Sequence, residues 1–97
     1  MSGYDISPLA ALDLSRIWDY TAEHWGVDQA DLYVRQIDLT CAEVASGRKQ
    51  GRNIDHVRAG YFSYPAGSHV LFCRWGTGRR MEVVRILHQR MDIGRHL

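Results

Sequence analysis

Two blocks in the first half of the chain carry apolar residues at helical spacing, and the second half switches to a shorter period. Ala10, Leu14, Ile17, Trp18, Thr21, Ala22 and Trp25 recur every three or four residues, as on one apolar face of an α-helix. Ser7-Pro8 precedes them, with Ser suited to the N-cap and Pro to the first helical position. Gly26 suits the residue just past the helix end. A second stripe follows at once: Ala30, Tyr33, Val34, Ile37, Cys41, Val44 and Ala45. Asp28 is expected to cap this helix, with Asp31 three residues on in a near-capping box, and Ser46-Gly47 to end it. Two helices of about 18 residues joined by so short a link must fold back on each other.

After residue 47 the pattern reads as strands and turns. Gly47 to Asn53 is a basic, turn-rich loop. Strands are expected at 57–64, 68–75 and 80–88, separated by Pro65-Ala66-Gly67 and Gly76-Thr77-Gly78. Loops this short with glycine join antiparallel neighbours. Tyr4-Asp5-Ile6 can start an edge strand. The expected architecture is α+β, in the order β-α-α-β-β-β: a helical hairpin packed on a small twisted antiparallel sheet. Gln89 to Leu97 is too polar for a core element and is expected to lie along the sheet or move freely.

The 97 residues suffice for one domain, spanning 1–97. Hydrophobic and charged contents of 45% and 24% fit a soluble globular protein. No apolar run approaches the roughly 20 residues of a membrane span, so no membrane association is expected. The opening Met1-Ser2-Gly3-Tyr4-Asp5 does not have the form of a secretory signal.

The net charge of +1 hides a strong asymmetry. Residues 1–47 carry two basic against eight acidic groups, a net −6; residues 48–97 carry ten against three, a net +7. Eleven of the twelve basic residues are arginine, which pairs bidentately with phosphate or carboxylate, so the second half suggests an anionic partner. The acidic residues fall mostly on the polar helix faces, where solvation is their default role. Cys41 and Cys73 form no CxxC or Cys/His metal spacing. They are expected to be buried free thiols in a reducing cytosol, and no metal or cofactor is implied.

Arg58, Arg74 and Arg85 fall inside predicted strands. Guanidinium groups there need partners or an open face. They could form an anion-binding surface, point to solvent, or pair with acids of the helices. Strict alternation places Arg85 with Met81, Val83 and Leu87, and His88 with Val84 and Ile86. His88, near a strand end, could act as an acid or base but suits a structural role better. His69, flanking the central strand, suits a capping or structural role. Trp18, Trp25 and Trp75 alternate with apolar neighbours and are expected in the core, with stacking on nucleobases as the less favoured alternative.

Several runs resemble ParE-type toxins of the RelE/ParE superfamily, a group that includes plasmid-stabilisation proteins. They are Leu14-Ser15-Arg16-Ile17-Trp18-Asp19-Tyr20-Thr21-Ala22-Glu23, Trp25-Gly26, Gln29-Ala30-Asp31-Leu32-Tyr33, Gly51-Arg52 and Val57-Arg58-Ala59-Gly60-Tyr61. Ser68 to Trp75 and Arg85-Ile86-Leu87-His88-Gln89-Arg90-Met91-Asp92 complete the set, the last being the most specific. The resemblance implies a bacterial cytoplasmic toxin of a type II toxin–antitoxin module, neutralised by a ParD-like antitoxin. It also implies a non-enzymatic block of DNA gyrase, as a gyrase–DNA complex, and a toxin–antitoxin hetero-oligomer that can be of higher order. On that footing Arg58, Arg74, Arg85, Trp18 and Tyr61 are antitoxin-binding candidates. His88, Arg90, Met91, Asp92 and Arg95 are target-binding candidates, and no residue is assigned as catalytic.

RelE-type relatives instead cut messenger RNA on the ribosome. That reaction needs a base, an acid and a stabiliser of phosphorane charge. Arg58, Arg85 and His88 could contribute, but Lys49 is the only lysine and Gln89 stands where some nuclease relatives carry Tyr. A plain nucleic-acid-binding module is the remaining class, and no aromatic RNA-recognition motif or zinc spacing supports it.

Overall fold

In the computed structural model, which describes residues 3–97, the Ser7 hydroxyl accepts from the Ala10 amide at 3.0 Å and donates to the Val84 carbonyl at 2.7 Å. The cap that starts the first helix, α1 (Pro8–Trp25), therefore also ties it to the last strand. Gly26 alone links α1 to α2 (Val27–Ala45). Its φ of 94° lets its N–H close α1 on the Ala22 carbonyl while its own carbonyl accepts from Ala30 to open α2. The turn is complete in one residue, so Asp28 lies inside α2 and does not cap it.

The strands are β1 (Tyr4–Ile6), β2 (Arg52–Asn53), β3 (Tyr61–Ala66), β4 (His69–Trp75) and β5 (Met81–His88). They form one sheet in the order β1-β5-β4-β3-β2. The expected α+β hairpin-on-sheet architecture is present, with two additions. The sheet is mixed, because β1 runs parallel to β5 at the edge left open by the β3–β4–β5 meander. A two-residue strand, β2, extends the other edge.

Both sheet faces are covered. Under the helices lie Ala10, Ile17, Ile37, Cys41, Val44, Leu71, Cys73, Met81, Val83 and Ile86. On the opposite face Ile54, Tyr61, Phe72 and Leu87 are buried, with Val57, Val70, Val84, Ile93 and Leu97 packed against them. The tail thus contributes to a core, contrary to its polarity. A four-residue helix, α3 (Ile93–His96), capped by Asp92, sets Ile93 and Leu97 four residues apart against the sheet.

Three local readings are corrected. The segment 57–60 is a turn: the Ile54 carbonyl accepts from the Val57 and Arg58 amides at 2.8 and 3.0 Å, and β3 begins only at Tyr61. Ile54, Val57 and Tyr61, which flank and enter this segment, recur every three or four residues and not at strand spacing. Pro65 and Ala66 end β3 and do not form the turn. Pro65 is tolerated because β2 pairs only with Phe62 and Ser63, leaving no neighbour on that side. Strict alternation fails along β5. The register shifts between Phe72 (opposite Arg85) and Cys73 (opposite Val83), so Val84 is an extra residue. Ile86 then joins Met81 and Val83 under the helices, while Leu87 joins Val84 on the other face.

The tryptophans also depart from expectation. Trp25 and Trp75 are 72% and 51% exposed, because each is the last residue of its element. Trp18 is half-buried. Both cysteines are buried free thiols, and burial pushes the Cys41 thiol up to about 12 and raises that of Cys73 as well.

Gly67, in the β3–β4 turn, has φ +62°, and a Cβ there would stand 2.7 Å from the Tyr33 ring. Gly67→Ala is expected to lower stability by about 1–3 kcal/mol, read as a lower thermal midpoint.

Candidate partner-binding surfaces

Asp13 lies on the buried stripe of α1, three residues after Ala10 and four before Ile17. Its carboxylate accepts from Arg85 Nε at 2.8 Å, from Arg85 Nη2 at 2.9 Å and from the Ile86 amide at 2.9 Å. This bidentate pair joins α1 to β5 with little solvent access. The hydrogen bonds that Arg85 donates to Asp13 hold the guanidinium in its charged form despite burial. The sequence puts most acids of the first half on solvated helix faces; Asp13, buried, is not among them. Its position on the helical stripe, with an arginine inside a strand, was the available signal.

Arg85 also anchors the tail. Its Nη1 donates to the His96 carbonyl at 3.2 Å, and Arg58 Nη1 donates to the Leu97 main-chain oxygen at 2.6 Å. The Arg58 guanidinium lies 5.2 Å from the centre of the buried Tyr61 ring. Arg58, Tyr61 and Arg85 thus sit beneath or beside the tail. Arg74 is exposed at the surface of β4 and pairs with Glu82 on β5 at 2.7 Å. Trp18 donates from Nε1 to Asp31 at 2.9 Å, bridging the two helices. The antitoxin-binding candidates are therefore dispersed over three places and do not form one arginine face.

The target-binding candidates group better. Arg90, Met91, Asp92 and Arg95 are all exposed on the segment that Arg58 and Arg85 hold down. Asp92 accepts from the Gly94 amide at 3.0 Å and lies 3.8 Å from the Arg95 guanidinium. His88 points the other way, into a cleft of 380 Å³ between α1, α2 and the β3–β4 turn, lined with Tyr20, Trp25, Tyr33 and His69 among others. Its Nδ1 accepts from the Arg90 amide at 3.2 Å.

His69 and His88 face each other edge to face, with ring centres 5.4 Å apart. Tyr33 accepts from the Ser68 amide at 2.9 Å and lies 2.7 Å from His69 Nδ1. Sequence reading did not pair these residues, because Tyr33 stands in the apolar stripe of α2. Burial of His69, and secondarily the neighbouring His88, lowers its pKa from 6.5, against a small opposing effect of Asp13. A histidine more easily protonated unfolded than folded stabilises the fold above 6.5 and loses that contribution as the pH falls through its folded value. The urea midpoint is expected to drop between pH 7 and 5, and His69→Gln to flatten that part of the slope. Among the described residues, no cluster of three or more metal-ligating side chains occurs.

The ParE toxin family of the type II toxin–antitoxin system, parDE, matches residues 4–93. Toxin ParE1 of Mycobacterium tuberculosis is 45% identical over 96 residues, covering 99% of this chain and 98% of the relative. Toxin ParE1 of Caulobacter vibrioides is 40% identical over 97 residues, with coverage of 100% and 99%. Among solved structures, a chain of the chromosomal ParDE TA system from P. aeruginosa superposes with a TM-score of 0.72. At 18% identity, over 91% of this chain and 98% of that one, it shows likeness of fold. Matched over nearly its whole length, the chain belongs to the ParE toxin family of type II toxin–antitoxin systems.

Proposed function

We propose that this ParE-family chain inhibits DNA gyrase, acting non-enzymatically on the gyrase–DNA complex in the bacterial cytoplasm. A ParD-like antitoxin neutralises it in a hetero-oligomer that can be of higher order. The observation that carries this reading is the tail. Arg90, Met91 and Arg95 are exposed together on a segment fixed from below by Arg58 and Arg85. Two arginines that could stabilise phosphorane charge are thereby engaged within the fold, which favours contact over acid–base chemistry. Arg90 remains at the surface to meet antitoxin carboxylates, and Arg74, exposed but paired with Glu82, would meet them only by exchanging that partner. Arg58, Arg85 and Tyr61 serve that interface through the tail they support, and Trp18 through the hairpin it bridges. Expression in cells, with supercoiling and transcript integrity measured together, tests the reading. Lost supercoiling with intact transcripts is expected; cut transcripts with normal supercoiling would overturn it.

A second reading, ribosome-dependent cleavage of messenger RNA, has the facing His69 and His88 rings in its favour. It requires His88→Ala to abolish transcript cleavage, whereas the gyrase reading gives no cleavage in either protein.

A further inference from the structure

The far end of the sheet carries an aromatic surface that neither the tail nor the histidine cleft uses. Trp75 ends β4 with 51% of its surface exposed. Its ring stacks on Phe62 with centroids 5.7 Å apart and planes 28° apart, so the exposed face is held rigid from behind. Trp75 lines three grooves, of which two carry cations that make no ion pair among the described residues. One, of 560 Å³, runs past Lys49, the backbone of Gly47, Gly51 and Gly60, and Phe62. The other, of 450 Å³, runs past Ala45, Gly76 and Arg79.

These grooves carry two cations, Lys49 and Arg79, and one acid, Asp55. Among the described residues, Lys49 and Arg79 make no ion pair. Asp55 accepts from the Gly60 amide at 2.8 Å and from Asn53 at 3.2 Å, neutral donors that keep it ionised, so the two grooves together carry a net +1. A third groove beside Trp75 is internally neutralised: Arg74 is paired with Glu82, and Arg80 with Asp5. A polyanion would therefore follow the Lys49–Trp75–Arg79 line and bypass Arg74 and Arg80.

Arg79 adds an independent sign. It is the only non-glycine among the described residues with positive φ, at 62°, directly after Gly78 at 65°. A side chain in the left-handed region is strained, and glycine would be more stable there. The strained position presents a cation beside an exposed indole.

We propose that Trp75, flanked by Lys49 and Arg79, is a binding platform for single-stranded nucleic acid, one base stacking on the indole and adjacent phosphates meeting the two cations. Such platforms combine aromatic stacking with a basic track and tolerate any base. The inference goes beyond gyrase inhibition, since the binding needs no gyrase.

The test is fluorescence anisotropy of a short labelled oligothymidylate with the purified 97-residue chain at several salt concentrations. Trp75→Ala is expected to weaken binding about tenfold, and Trp75→Phe to retain most of it. Lys49→Ala is expected to reduce the magnitude of the log–log salt slope by about 0.7. Arg79→Gly is expected to weaken binding while raising the thermal midpoint, which separates loss of contact from loss of fold. Unchanged affinity in Trp75→Ala or in Arg79→Gly overturns the platform. So does a Trp75→Ala protein that binds the oligonucleotide normally but loses an acidic peptide, which would assign the surface to a protein partner. Inhibition of supercoiling by the wild-type protein, present or absent, bears only on the gyrase reading.

Discussion

Asp13→Ala is expected to cost about 3–5 kcal/mol, because it leaves a buried guanidinium without its counterion. The total stability of a small domain is about 5–15 kcal/mol, so the variant should be close to unfolded at moderate temperature. Three donors lose their acceptor at once: Arg85 Nε, Arg85 Nη2 and the Ile86 amide. Asp13→Asn keeps one oxygen for the amide but cannot satisfy both guanidinium donors as a charge, and should fall between. The double change Asp13→Leu with Arg85→Met is expected to recover much of the loss, since replacing both members of a buried pair by apolar groups is often near neutral. Urea midpoints of the four proteins test the assignment. A single Asp13→Ala variant within about 1 kcal/mol of the parent would mean that the pair is not the link between α1 and β5.

The second large effect concerns toxicity. The triple variant Arg90→Ala, Met91→Ala, Arg95→Ala is expected to fold normally and to lose growth inhibition. All three side chains are exposed, and surface substitutions of this kind usually change stability by about 0.5 kcal/mol or less each. Deleting residues 90–97 would be a poorer experiment. It strips Ile93 and Leu97 from the second apolar cluster and frees Arg58 and Arg85 from their tail partners. The exposed apolar surface alone is expected to cost about 2–4 kcal/mol. Toxicity lost on deletion would therefore mix a missing contact with a damaged fold. Matched urea midpoints for parent and triple variant, with colony counts after induction, separate the two. Full toxicity in the stable triple variant would remove the tail from the target contact.

Much of the architecture was legible from spacing alone. The two helical stripes, the Ser7-Pro8 start and the Gly26 break defined the hairpin, because each depends on interactions within a few residues. Residues 57–60, placed in a strand by their sequence, misled for the complementary reason. Apolar residues at mixed spacing suit a strand or a turn that covers a sheet face, and only the sheet decides. The bulge at Val84 is likewise invisible in β5 by itself, since it exists only in the register with β4. It decides which side chains lie under the helices.

The candidate site follows the same division. The asymmetry of −6 and +7 was a property of sequence, and it correctly separated an acidic hairpin from an arginine-rich sheet and tail. It could not say which arginines are free. Arg85 meets Asp13 across 72 residues of chain, and Arg58 meets Leu97 across 39. Such pairings are set by how the helices and tail dock on the sheet. Local spacing determined the helical hairpin and the antiparallel strands after it, and the resemblance of whole runs, not their spacing, pointed to ParE-type toxins. The tertiary structure alone decided which charges are engaged inside the fold and which remain for a partner, because charge pairing depends on distance through space and periodicity only on distance along the chain.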